Sequence, residues 1–365
     1  MATRRWRLGL LALIVLVQFG LFEWGLRLAG GSEATPAFQQ LFTPDPAIGY
    51  RLRPSTAIRY TTSEFSTAIA INAEGVRDDE IGPKPAGERR IVVLGDSLVL
   101  AVQVPLEQTF CKQLQLALNT PPSDARYRVI NAGVQGYGPV EEALFFERVV
   151  SKLQPDLVVV VTFVANDAVE ANDRAFRLGG ATQPAKAVHD QANDSLRRFV
   201  RRSAVMQIVR QRVSQVRERL RPSGPPRPDR RLLTYATPMP DDIRHGFEVS
   251  RDAIARLASD AAAAKAPTVV VLMPARFQLD REEFERMEAT VEPAGYTMRP
   301  DAATTRFADA LAPLGLPTLD LLTAFRGSEQ PTRLFFQSTA HLTPEGHKVA
   351  AEAILRFLED RHLVR

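Results

Sequence analysis

The sequence predicts an α/β fold with a doubly wound parallel sheet, preceded by a transmembrane segment and a small β-rich lead-in. Three observations carry this reading. From Arg90 onward short apolar runs alternate with amphipathic helical stretches, as parallel strands joined by crossover helices do. The run DLVVVVTFV is apolar without interruption, which suits a strand covered by helices on both faces. The first thirty residues hold a long apolar stretch preceded by arginines.

Composition sets the outer limits. The 365 residues are 45% hydrophobic and 24% charged, enough for a sizeable core in one large domain with appendages or in two small domains. The net charge of +4 is unevenly placed: Ser195 to Arg221 contains nine Arg and one Glu, a local +8 that leaves −4 for the rest. Such confinement argues against a general nucleic-acid binder. The single cysteine, Cys111, excludes an internal disulfide and a cysteine metal cluster, and its helical context CKQLQLAL reads as a buried, inert thiol.

Arg4, Arg5 and Arg7 precede Leu8 to Leu26, which is broken only by Gln18 and Glu23. As a helix this run reaches roughly 28 Å, enough to cross the apolar layer of a bilayer. A cleaved signal is the rival, since the uncharged part, Leu8 to Phe22, is only 15 residues. No small-x-small cleavage site follows, and Trp24 and Arg27 fit interfacial anchors, so residues 1–30 read as a single-pass anchor. The basic start puts the N-terminus in the cytoplasm and the body outside it.

Residues 31–89 are polar and Pro-rich, with one alternating stretch. Phe65, Thr67, Ile69 and Ile71 share one face and Glu64, Ser66 and Ala68 the other, a half-buried strand that ends at the turn NAEGVRDDE. From Arg90 the strands are RIVVLG, YRVIN, DLVVVVTFV, TVVVLM and PTLDL. The helices fall near Glu107 to Asn119, across PVEEALFFERVVSKL, near Glu248 to Lys265, and from Pro344 to about Glu359. The domain at 90–365 is interrupted at about 179–230 by a basic helical insertion. There Leu196, Phe199, Val200, Val205, Ile208, Val209, Val216 and Leu220 recur at helical spacing and most Arg take the other faces. The stretch 195–221 reads as a surface helix, or as one resting on anionic lipid or polysaccharide.

Open α/β sheets place their sites at the carboxyl ends of strands. After the first strand stands GDS, where Ser97 can present its hydroxyl and its N–H to a cleft, although Asp and Ser also serve there as plain helix caps. After the second comes NAGVQGYG, glycine-rich as any tight turn is. After the third comes VANDAVEAND, where Asn166 offers a side-chain N–H or merely forms a turn. His341 precedes LTPEGH, in which Thr343 is a good N-cap and Pro344 a good first helical residue. Together they supply a nucleophile, two kinds of oxyanion donor and a base.

This set resembles the SGNH hydrolases, also called the GDSL family, over about Arg90 to Asn172 and Pro267 to Glu359. The resemblance implies Ser97 as nucleophile, Gly136 as glycine donor with Gly133 as the fallback, Asn166 as amide donor and His341 as base. INAEGVRDDE with RRIVVLGDS and the anchor is similar to the membrane-anchored bacterial members. For those the resemblance implies a three-layer sandwich with a five-stranded parallel sheet, and esterase or O-acyltransferase chemistry without metal or organic cofactor. The expected setting is the bacterial inner membrane, with the domain in the periplasm and an acylated glycan or lipid as substrate.

Two departures stand out. Ala165 replaces the usual glycine before Asn166, and the two positions where the family carries its acid hold Ser338 and Thr339. The acid of a Ser-His-Asp triad sets the tautomer of the imidazole and stabilises its charged form, and losing it costs about 10⁴-fold. Three outcomes remain open: a backbone carbonyl or the Ser338 hydroxyl orients His341, Asp320 reaches across from the strand PTLD, or the domain has lost catalysis and binds glycan or partners.

Overall fold

The computed structural model describes residues 37–121, 125–172 and 228–364. The expected anchor at 1–30, the basic helix at 195–221 and most of the insertion lie outside these residues. Among the described residues no helix is long and apolar enough to cross a membrane. Ala37–Gly180 and Pro225–Arg365 together form one compact unit.

The chain enters through two antiparallel hairpins, β1 (Phe42–Asp45) with β2 (Gly49–Leu52), and β3 (Thr56–Thr61) with β4 (Ser66–Ile71). In β4 the residues Thr67, Ile69 and Ile71 are buried while Ser66, Ala68 and Ala70 are exposed, as strict alternation dictates.

The main sheet then forms from β5 (Glu88–Gly95), β6 (Arg126–Gly133), β7 (Leu157–Phe163), β9 (Thr268–Met273) and β11 (Thr318–Asp320). Two-residue strands β8 (Ala236–Thr237) and β10 (Thr297–Met298) pair separately. The main order is β11-β9-β7-β5-β6 and every neighbouring pair is parallel. The helices are α1 (Ser97–Leu100), α2 (Phe110–Leu118), α3 (Pro139–Arg148), α4 (Asp241–Ala263), α5 (Arg281–Val291), α6 (Ala302–Leu311), α7 (Leu321–Arg326) and α8 (Pro344–Asp360). A further helical stretch covers 167–172.

Strand alternation sends the apolar side chains into two separate cores, which makes three layers. Val92, Leu94, Ile130, Ala132, Val158 and Val160 pack with α3, α4 and α6 and with the entry hairpins. Ile91, Val93, Val129, Val159 and Val161 pack on the other face with α2, α7 and α8. The continuous apolar run in β7 follows from this double covering. α4 starts at Asp241, seven residues before its apolar periodicity shows. Pro240 precedes it, and Asp241 and Asp242 fill the first turn, where carboxylates suit the positive helix end.

The entry hairpins are keyed into the α/β layers by two buried charges on the turn that follows β4. Arg77 donates to the carbonyls of Leu100 (2.7 Å), Ala101 and Val104 (2.7 Å), at the carboxyl end of α1. Asp78 accepts from the Asn131 N–H of β6 (3.0 Å) and from Lys112 of α2 (2.6 Å).

Candidate active site

Strand order reverses around β5: the chain runs first to β6 on one side, then crosses to β7, β9 and β11 on the other. At such a reversal the crossover helices diverge and leave a crevice at the carboxyl ends of the strands. Ser97 follows β5, Gly136 follows β6 and Asn166 follows β7, so all three expected donors stand around one crevice mouth.

Asp96 caps α1, its carboxylate accepting from Leu98 N (2.8 Å), and Ser97 is the first helical residue. The Ser97 hydroxyl and the Asn166 amide both favour the ionised form of Asp96, against the burial that raises its pKa. Asn166 Nδ2 also donates to Glu170 (2.8 Å). Both Ser97 and Asn166 are half-buried.

The two glycines of NAGVQG differ in what they do. A Cβ on Gly133 would lie 2.3 Å from Leu100 N and 2.7 Å from Val99 C, so glycine here lets β6 end against the backbone of α1. Its N–H donates to Asn131 Oδ1 (3.1 Å). Gly136 has φ +70, a left-handed turn, and its N–H makes no hydrogen bond among the described residues. The geometry thus separates a packing glycine, Gly133, from one with a free donor, Gly136. Tyr50 of β2 supports that turn by donating to Gln135 O (2.7 Å).

His341 lies at the end of a short loop closed by the bridge Phe335 to Leu342 and by Phe336 N donating to His341 O (2.9 Å). Thr343 caps α8 by accepting from Gly346 N (3.2 Å), with Pro344 following it. Among the described residues neither ring nitrogen of His341 has a hydrogen-bond partner. Burial pushes its pKa down to about 4, because the enclosed imidazolium loses solvation without gaining a counter-ion. Neither expected orienting residue meets it. Ser338 Oγ donates to Glu64 on the β3–β4 turn, and Asp320 Oδ1 caps α7 by accepting from Leu322 N (2.8 Å). His347, one turn into α8, is a second buried imidazole; its Nδ1 accepts from Phe110 N (3.2 Å) and burial holds it neutral, with a pKa of about 3.

Beneath the crevice lies a group of buried carboxylates that sequence reading missed: Asp96, Glu142, Asp167 and Glu170. Burial raises Asp96 to about 6, and burial first, then repulsion from neighbouring acids, raises Glu170 to about 8 and Glu142 and Asp167 well above the ordinary range. Asp167 Oδ2 accepts from Phe163 N (2.8 Å), whereas both oxygens of Glu142 lack partners. Among the described residues no group of acids, histidines or cysteines is arranged to hold a metal ion. Glu142 sits in PVEEALFFER, where helical periodicity alone marks an apolar face; only its neighbours across the sheet reveal it as a buried acid.

Residues 235–365 match the family described as the SGNH hydrolase-like domain of the acetyltransferase AlgX. The match covers little more than the C-terminal third of the chain. The matched stretch contains His341 but not Ser97, Gly136 or Asn166. Among solved structures, the chain is similar to TesA at 13% identity and a TM-score of 0.42, covering 74% of this chain and 99% of that one. A lipase/acylhydrolase from Enterococcus faecalis shares 15% identity at a TM-score of 0.42, covering 75% of this chain and 96% of that one. An acetyl xylan esterase, AlAXEase, shares 13% at 0.41, covering 73% and 98%. No curated protein sequence matches the chain.

Proposed function

We propose that the SGNH-like domain is a serine esterase or O-acyltransferase that forms an acyl-enzyme on Ser97. The observation that carries this is the convergence of Ser97, Asn166 and the Gly136 N–H, which bonds nothing among the described residues, on the crevice where strand order reverses. Ser97 Oγ attacks the acyl carbonyl and its proton passes to His341. The N–H groups of Ser97 and Gly136 with the Asn166 amide receive the charge that develops on the carbonyl oxygen. The tetrahedral adduct collapses, the alcohol departs with the proton, and water or a sugar hydroxyl then takes the acyl group from Ser97. An anchor at residues 1–30 would place this chemistry in the cell envelope of a bacterium, facing the periplasm, where acylated glycans and lipids are the available esters.

One observation favours a second reading, a domain that binds glycan or partners without turning over ester: His341 has no partner on either ring nitrogen. A fluorophosphonate probe separates the two. We expect it to label the wild-type protein and not Ser97→Ala, with weaker labelling of His341→Ala, and we expect turnover of small acetyl esters. Absence of any Ser97-dependent label and of turnover would leave the binding reading standing.

A further inference from the structure

The loop that carries His341 is held from outside the α/β layers. Glu64, on the exposed turn between β3 and β4, accepts from Gln337 N (3.1 Å) and from Ser338 N (3.2 Å), and also from the Ser338 hydroxyl. Its neighbour Phe65 packs its ring against Phe336 with centroids 5.8 Å apart. From the other side Arg276 donates to the carbonyls of Phe336 (3.3 Å) and Gln337 (2.7 Å) while pairing with Glu283 (2.5 Å). The backbone of 336–338 is therefore gripped on its N–H side by a carboxylate and on its carbonyl side by a guanidinium. Ser338 is the position, three before His341, from which SGNH hydrolases supply their acid.

From this geometry we infer that Glu64 is the positioning residue of the site: it takes over, from a hairpin 274 residues away, the task of fixing His341 that the carboxylate at position 338 would have performed. This rests on the Ser97–His341 reading above. Glu64 does not touch either ring nitrogen, so it acts through the loop, and the bond from Phe336 N to His341 O (2.9 Å) passes the constraint to the base. Charge matters to the grip. Three donors converge on the two carboxylate oxygens, which are acceptors only. The bond from the Ser338 hydroxyl first, then those from the Ser338 and Gln337 N–H groups and the charge of Arg276, hold the Glu64 pKa below the ordinary value, which favours its ionised form.

A pair of substitutions tests it. In Glu64→Gln one acceptor oxygen becomes an NH2 that faces donors. We expect kcat on a small acetyl ester to fall of the order of 10- to 100-fold, the loss that misplacing a catalytic group brings, with KM unchanged. Amide hydrogen exchange of the 336–341 segment should quicken about tenfold, with the unfolding midpoint of the domain unmoved. Ser338→Asp alone sets two carboxylates against each other and should lose activity as well, whereas Glu64→Gln with Ser338→Asp together restores a donor–acceptor match and should recover more activity than either single change. A merely structural contact would show no such recovery. Wild-type kcat and unchanged loop exchange in Glu64→Gln would overturn the inference while Ser97-dependent labelling left the esterase reading intact. If the wild-type protein neither labels nor turns over, that reading falls, and loop exchange alone decides whether Glu64 holds His341 in place.

Discussion

Glu64 and Ser338 meet across 274 residues of chain, and the loop they fasten ends in a histidine with no partner on either ring nitrogen. In the proposed mechanism a base so placed depends on position more than on charge, which gives its pH behaviour a definite form.

With a folded pKa of about 4, His341 stays neutral, and able to accept the Ser97 proton, far below the ordinary imidazole value of 6.5. The acidic limb of kcat/KM, which reports the free enzyme, is expected near pH 4. A limb near 6.5 would mean that a counter-ion or solvent reaches the ring. Stopped assays across pH 3.5–7 distinguish the two.

Stability should fall on the alkaline side. Asp96 and Glu170 have folded pKa values raised to about 6 and about 8, above those of the unfolded chain, so their contribution is complete at low pH and lost as pH rises through these values. Depressed His341 and His347 act in the opposite sense, losing stability as pH falls below 6.5, and are titrated out above it. Between pH 6.5 and 8 Glu170 therefore dominates, Asp96 being ionised in both states above about 6. Each acid still protonated in the folded state but ionised in the unfolded one costs about 1.4 kcal/mol per pH unit. Thermal unfolding midpoints should drop over that interval, and Glu170→Gln should flatten the slope.

Arg77→Met keeps the aliphatic stem and deletes the guanidinium. Three carbonyls at the carboxyl end of α1 and just beyond it then lose a buried donor. The expected loss is on the order of 3 kcal/mol, read by urea unfolding, together with slower fluorophosphonate labelling of Ser97 because α1 carries that residue.

Gly133→Ala drives a methyl into the backbone of Val99 and Leu100, which cannot yield as a flexible side chain would. The expected result is a marked drop in unfolding midpoint and loss of Ser97 labelling. Gly136→Ala meets only the Tyr50 hydroxyl (2.9 Å) and a strained φ of +70, so its domain should remain folded while turnover falls.

Much of this was legible in the residues. Alternation of apolar runs and helical stretches defined the strands of the parallel sheet because the layers impose it: β7 reads LVVVV from its start because both of its faces are covered. The block GDS, the glycine turn and Asn166 were legible because each lies immediately after its strand. What binds the pieces was hidden. Glu64 sits in TTSEFS, indistinguishable from any polar hairpin turn, and its partner is far away in sequence. Arg77 and Asp78 belong to VRDDE, which reads as a solvated turn; Asp79 and Glu80 are exposed, but Arg77 and Asp78 are buried, because pairing across layers leaves no trace in local periodicity. Asp320 looked available at a strand end, but the same location makes it a helix cap.

The grip on Ser338 and the insertion of Arg77 have a consequence for how the molecule matures. The entry hairpins hold a loop made far later, so His341 takes its place only after these two parts of the unit have come together. Ester turnover would then report completed assembly, and a chain interrupted between the hairpins and the α/β layers should be silent until its two fragments are mixed.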